Sequence, residues 1–264
     1  MLLGPDDPAP FSVFNAGGSA SVLFVSDHSG RAFPHRLQQL GLDDWVLEQH
    51  VSWDIGSGDV ARRLAQIFDA PLIAANYSRL VVDTNRNPKD STLCTEKGDG
   101  IAIPGNIDLP DEQRAERIDL IHRPYHAAIE ARLNDFRQRG IIPAIIAIHS
   151  CTPVFNDVVR PWHFGVLWDV DPRIAQPLLK NLGALEGISV GDNEPYSGRH
   201  PHDYTMDHHG EAGRIPHVSI EVRQDLIDTE GGASRHADML ADALRPILAD
   251  ESLYTLLDER DAVR

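Results

Sequence analysis

The stretch "IIPAIIAIHSCTP", residues 141–153, constrains this chain more than any other. Every side chain from Ile141 to Ile148 is apolar, with no polar alternation. A strand of that kind has no face to leave in water, so it is the strongest buried-strand signal in the chain. The run then ends abruptly in His149 and Ser150. A buried strand that finishes in an imidazole is the first pointer to chemistry.

Other runs fit the same frame. "SVLFVSDHSG" (21–30) is a short apolar strand feeding a loop, "GDVARRLAQIF" (58–68) spaces Val60, Leu64 and Phe68 at helical intervals, and "APLIAANYSRLVVDTNR" offers two more strand-like stretches. Residues 111–139 place Ile118, Ile121, Tyr125, Ile129, Leu133 and Phe136 on one face of a long helix, with Pro124 predicting a kink. "HFGVLWDV" and "IPHVSIEVRQDLI" read as late strands. Between them, "DPRIAQPLLKNLGAL" reads as a helix capped by Asp171, with proline at its first position. The Gly-, His- and Pro-rich segment 186–217 reads as a long functional loop, and residues 234–253 as a closing helix. Alternating strands and helices predict an α/β sandwich around a mixed or parallel sheet, a single domain over residues 1–264.

Composition narrows the partners. With 42% hydrophobic and 24% charged residues the chain has the makeup of an ordinary globular protein. A net charge of −16 without a Lys/Arg run argues against nucleic acid and acidic membranes. Salt screens that charge beyond roughly 8 Å, so one arginine in a pocket still suits a small anionic substrate. No apolar run reaches the ~18–20 residues of a membrane span, the N-terminus lacks signal-peptide character, and Cys94 and Cys151 make no disulfide framework. The expectation is a cytoplasmic protein.

Four apolar runs end in functional groups: at His28, at Asp83–Arg86, at His149 and Ser150, and at Glu221 and Arg223. In open α/β sheets ligands bind beyond the carboxyl ends of the strands. Two histidines and one carboxylate can hold zinc while leaving a position open for water, and His28 and His149 are the best pair. Asp54 in "HVSWDIG" is the choice for third ligand, ahead of His50. Glu221 on an apolar strand fits a general base, a salt bridge to Arg223 being the alternative. "HRPYH" places His122 and His126 four apart, a rival zinc pair that lacks the accompanying glutamate and is interrupted by Pro124; His126 alternatively contacts substrate. A serine or cysteine nucleophile in "HSC" has no GxSxG elbow to support it. Arg86 offers a planar fork for a carboxylate and Asn85 an amide donor, while Arg79 is either a second clamp or the donor to a developing oxyanion. Tyr196 and His209, on the long loop, are candidate pocket residues.

The blocks "SDHSG", "HVSWDIGSGDVARRL", "SRLVVDTNR", "RPYHAAI", "AIHSCTP", "DNEPYSG" and "HGEAGRIPHVSIEVRQDLI" recur in order. Together they resemble the N-formylglutamate amidohydrolase family over about residues 20–250. That family is similar to zinc carboxypeptidases, whose DxNRN segment, central-strand HS and ELR-type strand resemble "DTNRN", "HS" and "IEVR". The resemblance implies a zinc-exopeptidase-like, three-layer α/β/α sandwich around a mixed, mainly parallel sheet, and one zinc, or another divalent metal, activating water to hydrolyse an amide beside a carboxylate. It implies His28 and His149 as ligands, Asn85 and Arg86 as the carboxylate clamp, and Glu221 as the base. Position 31, where an acidic ligand is expected, is arginine. The substrate so implied is a small anionic N-acyl amino acid such as N-formylglutamate. A carboxypeptidase-like hydrolase or deacylase of other specificity is the alternative, and a non-catalytic metal- or ligand-binding protein the second.

Overall fold

The computed structural model describes residues 2–199, 201, 203–258, 260, 262 and 263. In chain order the strands are β1 (Phe11–Phe14), β2 (Val22–Ser26), β3 (Leu72–Ala75), β4 (Lys97–Gly98), β5 (Ile101–Ala102), β6 (Ala144–Cys151), β7 (Val154–Phe155), β8 (Val158–Val159), β9 (Phe164–Leu167), β10 (Val190–Asp192) and β11 (His217–Arg223). The helices are α1 (Asp44–Leu47), α2 (Ser57–Phe68), α3 (Asp111–Arg117), α4 (Arg123–Gln138), α5 (Pro172–Gly183) and α6 (Glu230–Leu248).

Seven strands form one sheet in the order β1-β3-β2-β6-β11-β9-β10. Its centre, β3-β2-β6-β11, is parallel, β1 and β9 join antiparallel, and β10 runs parallel to β9. The apolar run of β6 sits in the middle of this sheet, as its composition requires. Its even-numbered residues Ile146 and Ile148 pack with Val60 and Leu64 of α2 and Leu240 of α6, while Ile145 and Ala147 pack with Tyr125, Ile129 and Leu133 of α4. Helices on both faces make the three-layer sandwich. Leu64 is fully buried, and Leu64→Ala there costs about 2–5 kcal/mol by the usual cost of a core cavity.

Three local expectations are corrected. The apolar run Leu80, Val81 and Val82 is not a strand: Val81 N–H bonds Ser78 O, Asp83 N–H bonds Leu93 O, and the three side chains enter a separate apolar cluster with Leu93 and Ile103. Burial of the run is real, but its backbone closes on turns instead of a ladder. The segment 186–217 is not all loop, because it contributes β10 and a π-helical turn, Met206–Glu211. Ahead of Pro124 the helix is continuous but widens into another π-helical turn, Ile118–His122, which absorbs the irregularity proline imposes.

Candidate active site

Side-chain alternation fixes the site. Since Ile148 and Ile220 face α2 and α6, His149 and Glu221 face the opposite side of the sheet, and they are Cα partners across the parallel β6–β11 pair. On its other flank Glu221 is paired with Gly165 of β9. A Cβ at Gly165 would lie 2.2 Å from Glu194 O, so glycine is what lets the 194–197 loop close over the strand and bring Tyr196 to the cavity. His28 follows β2, the other neighbour of β6. Asp54 arrives from the coil before α2, held by its N–H to His28 O at 2.8 Å. The turn into α2 depends on Gly56, at φ 78°, whose Cβ would lie 2.2 Å from Ile227 O.

His28, Asp54 and His149 are all buried, and one ligand atom from each lies within 4.8 Å of the others. Both rings turn Nδ1 toward Asp54 Oδ2, His149 at 3.0 Å and His28 at 3.5 Å. Their outer nitrogens face carboxylates. His28 Nε2 is 2.7 Å from Asp83 Oδ1, and His149 Nε2 is 3.4 Å from Asp27 Oδ2. Such outer carboxylates fix the orientation and basicity of ligating imidazoles. Asp27 is the functional residue that sequence reading passed over, although it stands beside His28 in "SDHSG". Asp83 also serves a purpose the turn did not reveal.

The electrostatics ask for a cation. Burial pushes Asp54 up, yet Arg79, His28 and His149 outweigh it and hold the carboxyl well below the usual range. Asp27 is likewise opposed by burial and brought down to about 2 by His149, His28 and Thr205. Burial lowers His149, but the carboxylates of Asp27 and Asp54 beside it raise it well above an ordinary imidazole. Asp54 Oδ1, Asp27 Oδ2 and His149 Nε2 are buried and complete no hydrogen bond, the first being met by the Arg79 guanidinium and the other two facing each other at 3.4 Å. Buried orphans of this kind call for an explanation, and a bound ion is one. The guanidinium of Arg79 already approaches the same group: its Nη2 is 3.0 Å from Asp54 Oδ1 and contacts His28 Nδ1. Two imidazoles and a carboxylate with an open side suit a divalent metal of the zinc type.

Glu221 stands apart. It is 6% exposed, its Oε2 has no partner, and burial pushes its carboxyl up to about 7. The alternative salt bridge does not form, because Arg223 bonds Asp225 at 2.8 Å.

A cavity of about 570 Å³ opens over this corner. His28, His149, Glu221, Arg79 and Tyr196 line one part of it; Asn85, Arg86 and Lys97 line another. Asn85 Oδ1 accepts from Thr205 N–H at 2.8 Å, which leaves the amide NH₂ as the end available to a ligand. Arg86 is 3.9 Å from Asp83 and half-exposed. His50 lines the cavity 3.7 Å from Asp54 and is lowered to about 4 by burial. Two predicted residues are elsewhere. His126 bonds Thr84 O and His209, and both histidines lie behind the cavity wall. The rival pair His122 and His126 has no carboxylate or third imidazole completing a metal-holding group among the described residues.

The helix-covered, mainly parallel sheet, with polar side chains gathered at the carboxyl ends of its central strands, defines a three-layer α/β sandwich protein. The family model of N-formylglutamate amidohydrolase matches residues 20–228, and the chain belongs to that family. It is 24% identical over 252 residues to an N-formylglutamate deformylase of Pseudomonas putida, covering 85% of this chain and 92% of that protein. A crystal structure of an Agrobacterium tumefaciens gene product superposes with TM-score 0.91 at 30% identity, over 94% of this chain and 98% of that one. The N-formylglutamate amidohydrolase of Ralstonia eutropha JMP134 shares the fold at TM-score 0.57 and 22% identity, over 93% and 98% of the two chains. Among the described residues no helix is long and apolar enough to cross a membrane.

Proposed function

We propose that this chain hydrolyses the amide of an N-formyl or N-acyl amino acid, N-formylglutamate being the substrate its family suggests. His28, Asp54 and His149 would hold one divalent cation. When bound there, such an ion supplies Lewis-acid polarisation of a carbonyl and acidifies water. The observation that carries the reading is Glu221: a buried carboxylate without a partner, on the same sheet face as His149 and in register with it. A structural role gives no account of that cost, whereas a base does.

The work of the chain's own residues follows. Asn85 and Arg86 take the substrate carboxylate, one through an amide donor and the other through a bidentate fork. Glu221 removes a proton from water as its oxygen attacks the formyl carbon. Arg79 donates to the oxygen that gains charge. Glu221 then returns that proton to the amine nitrogen as the C–N bond breaks. Water and amide become a carboxylic acid and a free amino acid.

Elemental analysis followed by a panel of N-formyl, N-acetyl and dipeptide substrates tests this. Glu221→Gln should retain the cation and lose about 10²–10⁴ in rate, the range for a positioned base. Unchanged turnover in that variant would refute the assignment.

A further inference from the structure

Two histidines outside the cavity do something the mechanism above leaves unassigned. His122 closes the π-helical turn Ile118–His122, and His126 stands one turn on in α4. Their rings are 4.5 Å apart and both are buried. His122 Nε2 is 2.9 Å from Arg86 O, and His126 Nε2 is 2.7 Å from Thr84 O. A carbonyl only accepts, so both rings carry their proton on Nε2. His126 Nδ1 then accepts from His209 Nε2–H at 3.0 Å. Burial, with repulsion among neighbouring imidazoles, takes His126 down to about 3 and His209 to about 4. They are neutral, directional groups.

The carbonyl between these two is held as well. Tyr204 N–H bonds Asn85 O at 3.4 Å, and Tyr204 precedes the π-helical turn Met206–Glu211 that carries His209. Three consecutive peptide planes, those of Thr84, Asn85 and Arg86, are thus each fixed from outside the segment. Fixing them sets the backbone dihedrals of Asn85 and Arg86, and with them the directions in which the two side chains leave the chain. Residues 84–86 belong to no strand or helix, so no ladder does this for them. π-helical turns recur at functional sites; here one carries His122, and the residues leading into the other supply the Tyr204 N–H to the same tripeptide.

We propose that His122 and His126 are positioning residues for the carboxylate clamp, acting on bound substrate through the carbonyls of Arg86 and Thr84 and touching no ligand themselves. This rests on the reading of Asn85 and Arg86 as that clamp. A core histidine that merely packs has no reason to affect one substrate group more than another. A positioning residue does.

The test compares KM with kcat for N-formylglutamate and for an N-formyl amino acid amide lacking the α-carboxylate, each in the cation-loaded protein. His122→Leu should raise KM for the carboxylate substrate roughly tenfold, the order for one lost hydrogen bond, with kcat within about twofold and the amide substrate unaffected. His122→Gln, whose amide N–H reaches the Nε2 position, should restore KM. An unchanged KM, or equal losses on both substrates in a variant with unaltered circular dichroism, overturns the proposal. Should His122→Leu not fold, His122→Gln and His122→Asn make the same comparison, since only glutamine places its donor at Nε2; equal KM values would overturn it. If wild-type protein turns over no N-formyl amino acid, the hydrolase reading fails by itself, and calorimetric binding of glutamate takes over. A tenfold weaker affinity in His122→Leu then supports the proposal, and equal affinity, or no binding to wild type, overturns it.

Discussion

The corner built around His28, Asp54, His149 and Glu221 and the corner built around Asn85 and Arg86 face the same cavity but are engineered by different means. In the first, two of the four side chains stand on adjacent central strands whose register leaves no freedom, and His28 follows a third. In the second, an irregular segment is held by hydrogen bonds from His122, His126 and Tyr204 and by Asp83, which serves both corners: its Oδ1 takes His28 Nε2 at 2.7 Å and its Oδ2 lies 3.9 Å from Arg86. A ladder of backbone bonds is cooperative and survives loss of one side chain. A clamp hung on single side-chain bonds does not, and the two corners should therefore fail differently.

The sharpest break is His149→Ala. It should bring turnover to background and remove bound divalent cation, as measured by elemental analysis of the purified protein, while the sheet persists by circular dichroism. Cation retained at wild-type stoichiometry would show that the first corner does not bind through this ring. Next comes Asp27→Asn, which leaves all three candidate ligands in place. Removing such an outer partner costs about 10–100-fold in metal affinity, readable by titration against a competing chelator. Arg86→Ala probes the second corner: KM for N-formyl amino acids should rise about tenfold to a hundredfold, the loss expected for a charge-assisted bond, with cation content unchanged. Equal effects on carboxylate and carboxamide substrates would dissolve the distinction between the corners.

The smallest effect is expected at the seam between β11 and the second π-helical turn. His217 donates from Nδ1 to Ile215 O at 2.8 Å and from Nε2 to Glu211 at 3.0 Å, an arrangement only the imidazolium satisfies. Burial opposes the charge, but Glu211, Ile215 O and Asp171 raise this histidine above its ordinary value. A folded value above the unfolded one means that the contribution is complete below about pH 6.5 and is lost as pH climbs through the raised value. Urea midpoints should fall as pH rises above about 6.5, and Glu211→Gln should flatten that slope; an unchanged slope would assign it elsewhere.

Much of the first corner was legible beforehand because it follows strand periodicity. His149 and Glu221 interrupt apolar runs, and their positions one residue off Ile148 and Ile220 assign them to one face. The second corner was legible only as residue types. "LVVDTNR" looks like a strand because its apolar residues are truly buried, and burial alone does not say whether a backbone pairs with a neighbour or turns on itself. The helix and loop settings of His126 and His209 suggest pocket residues, yet neither lines the cavity: His126 bonds the Thr84 carbonyl and His209 bonds the His126 ring.

Apolar patterning along the chain is enough to say which segments must be buried, hence the sandwich, and which polar groups those segments deliver to their ends. What folding alone could supply is the placing of Asp54 between the two imidazoles, of Asp27 and Asp83 against their outer nitrogens, and of His122, His126 and Tyr204 against the carbonyls of residues 84–86. The reason is physical: periodicity is a local property of neighbouring residues, whereas a ligand set is a matter of distances between groups such as Asp54 and His149, 95 residues apart in the chain and 3.0 Å apart in space. Those distances come into being only when strand register and core packing are complete.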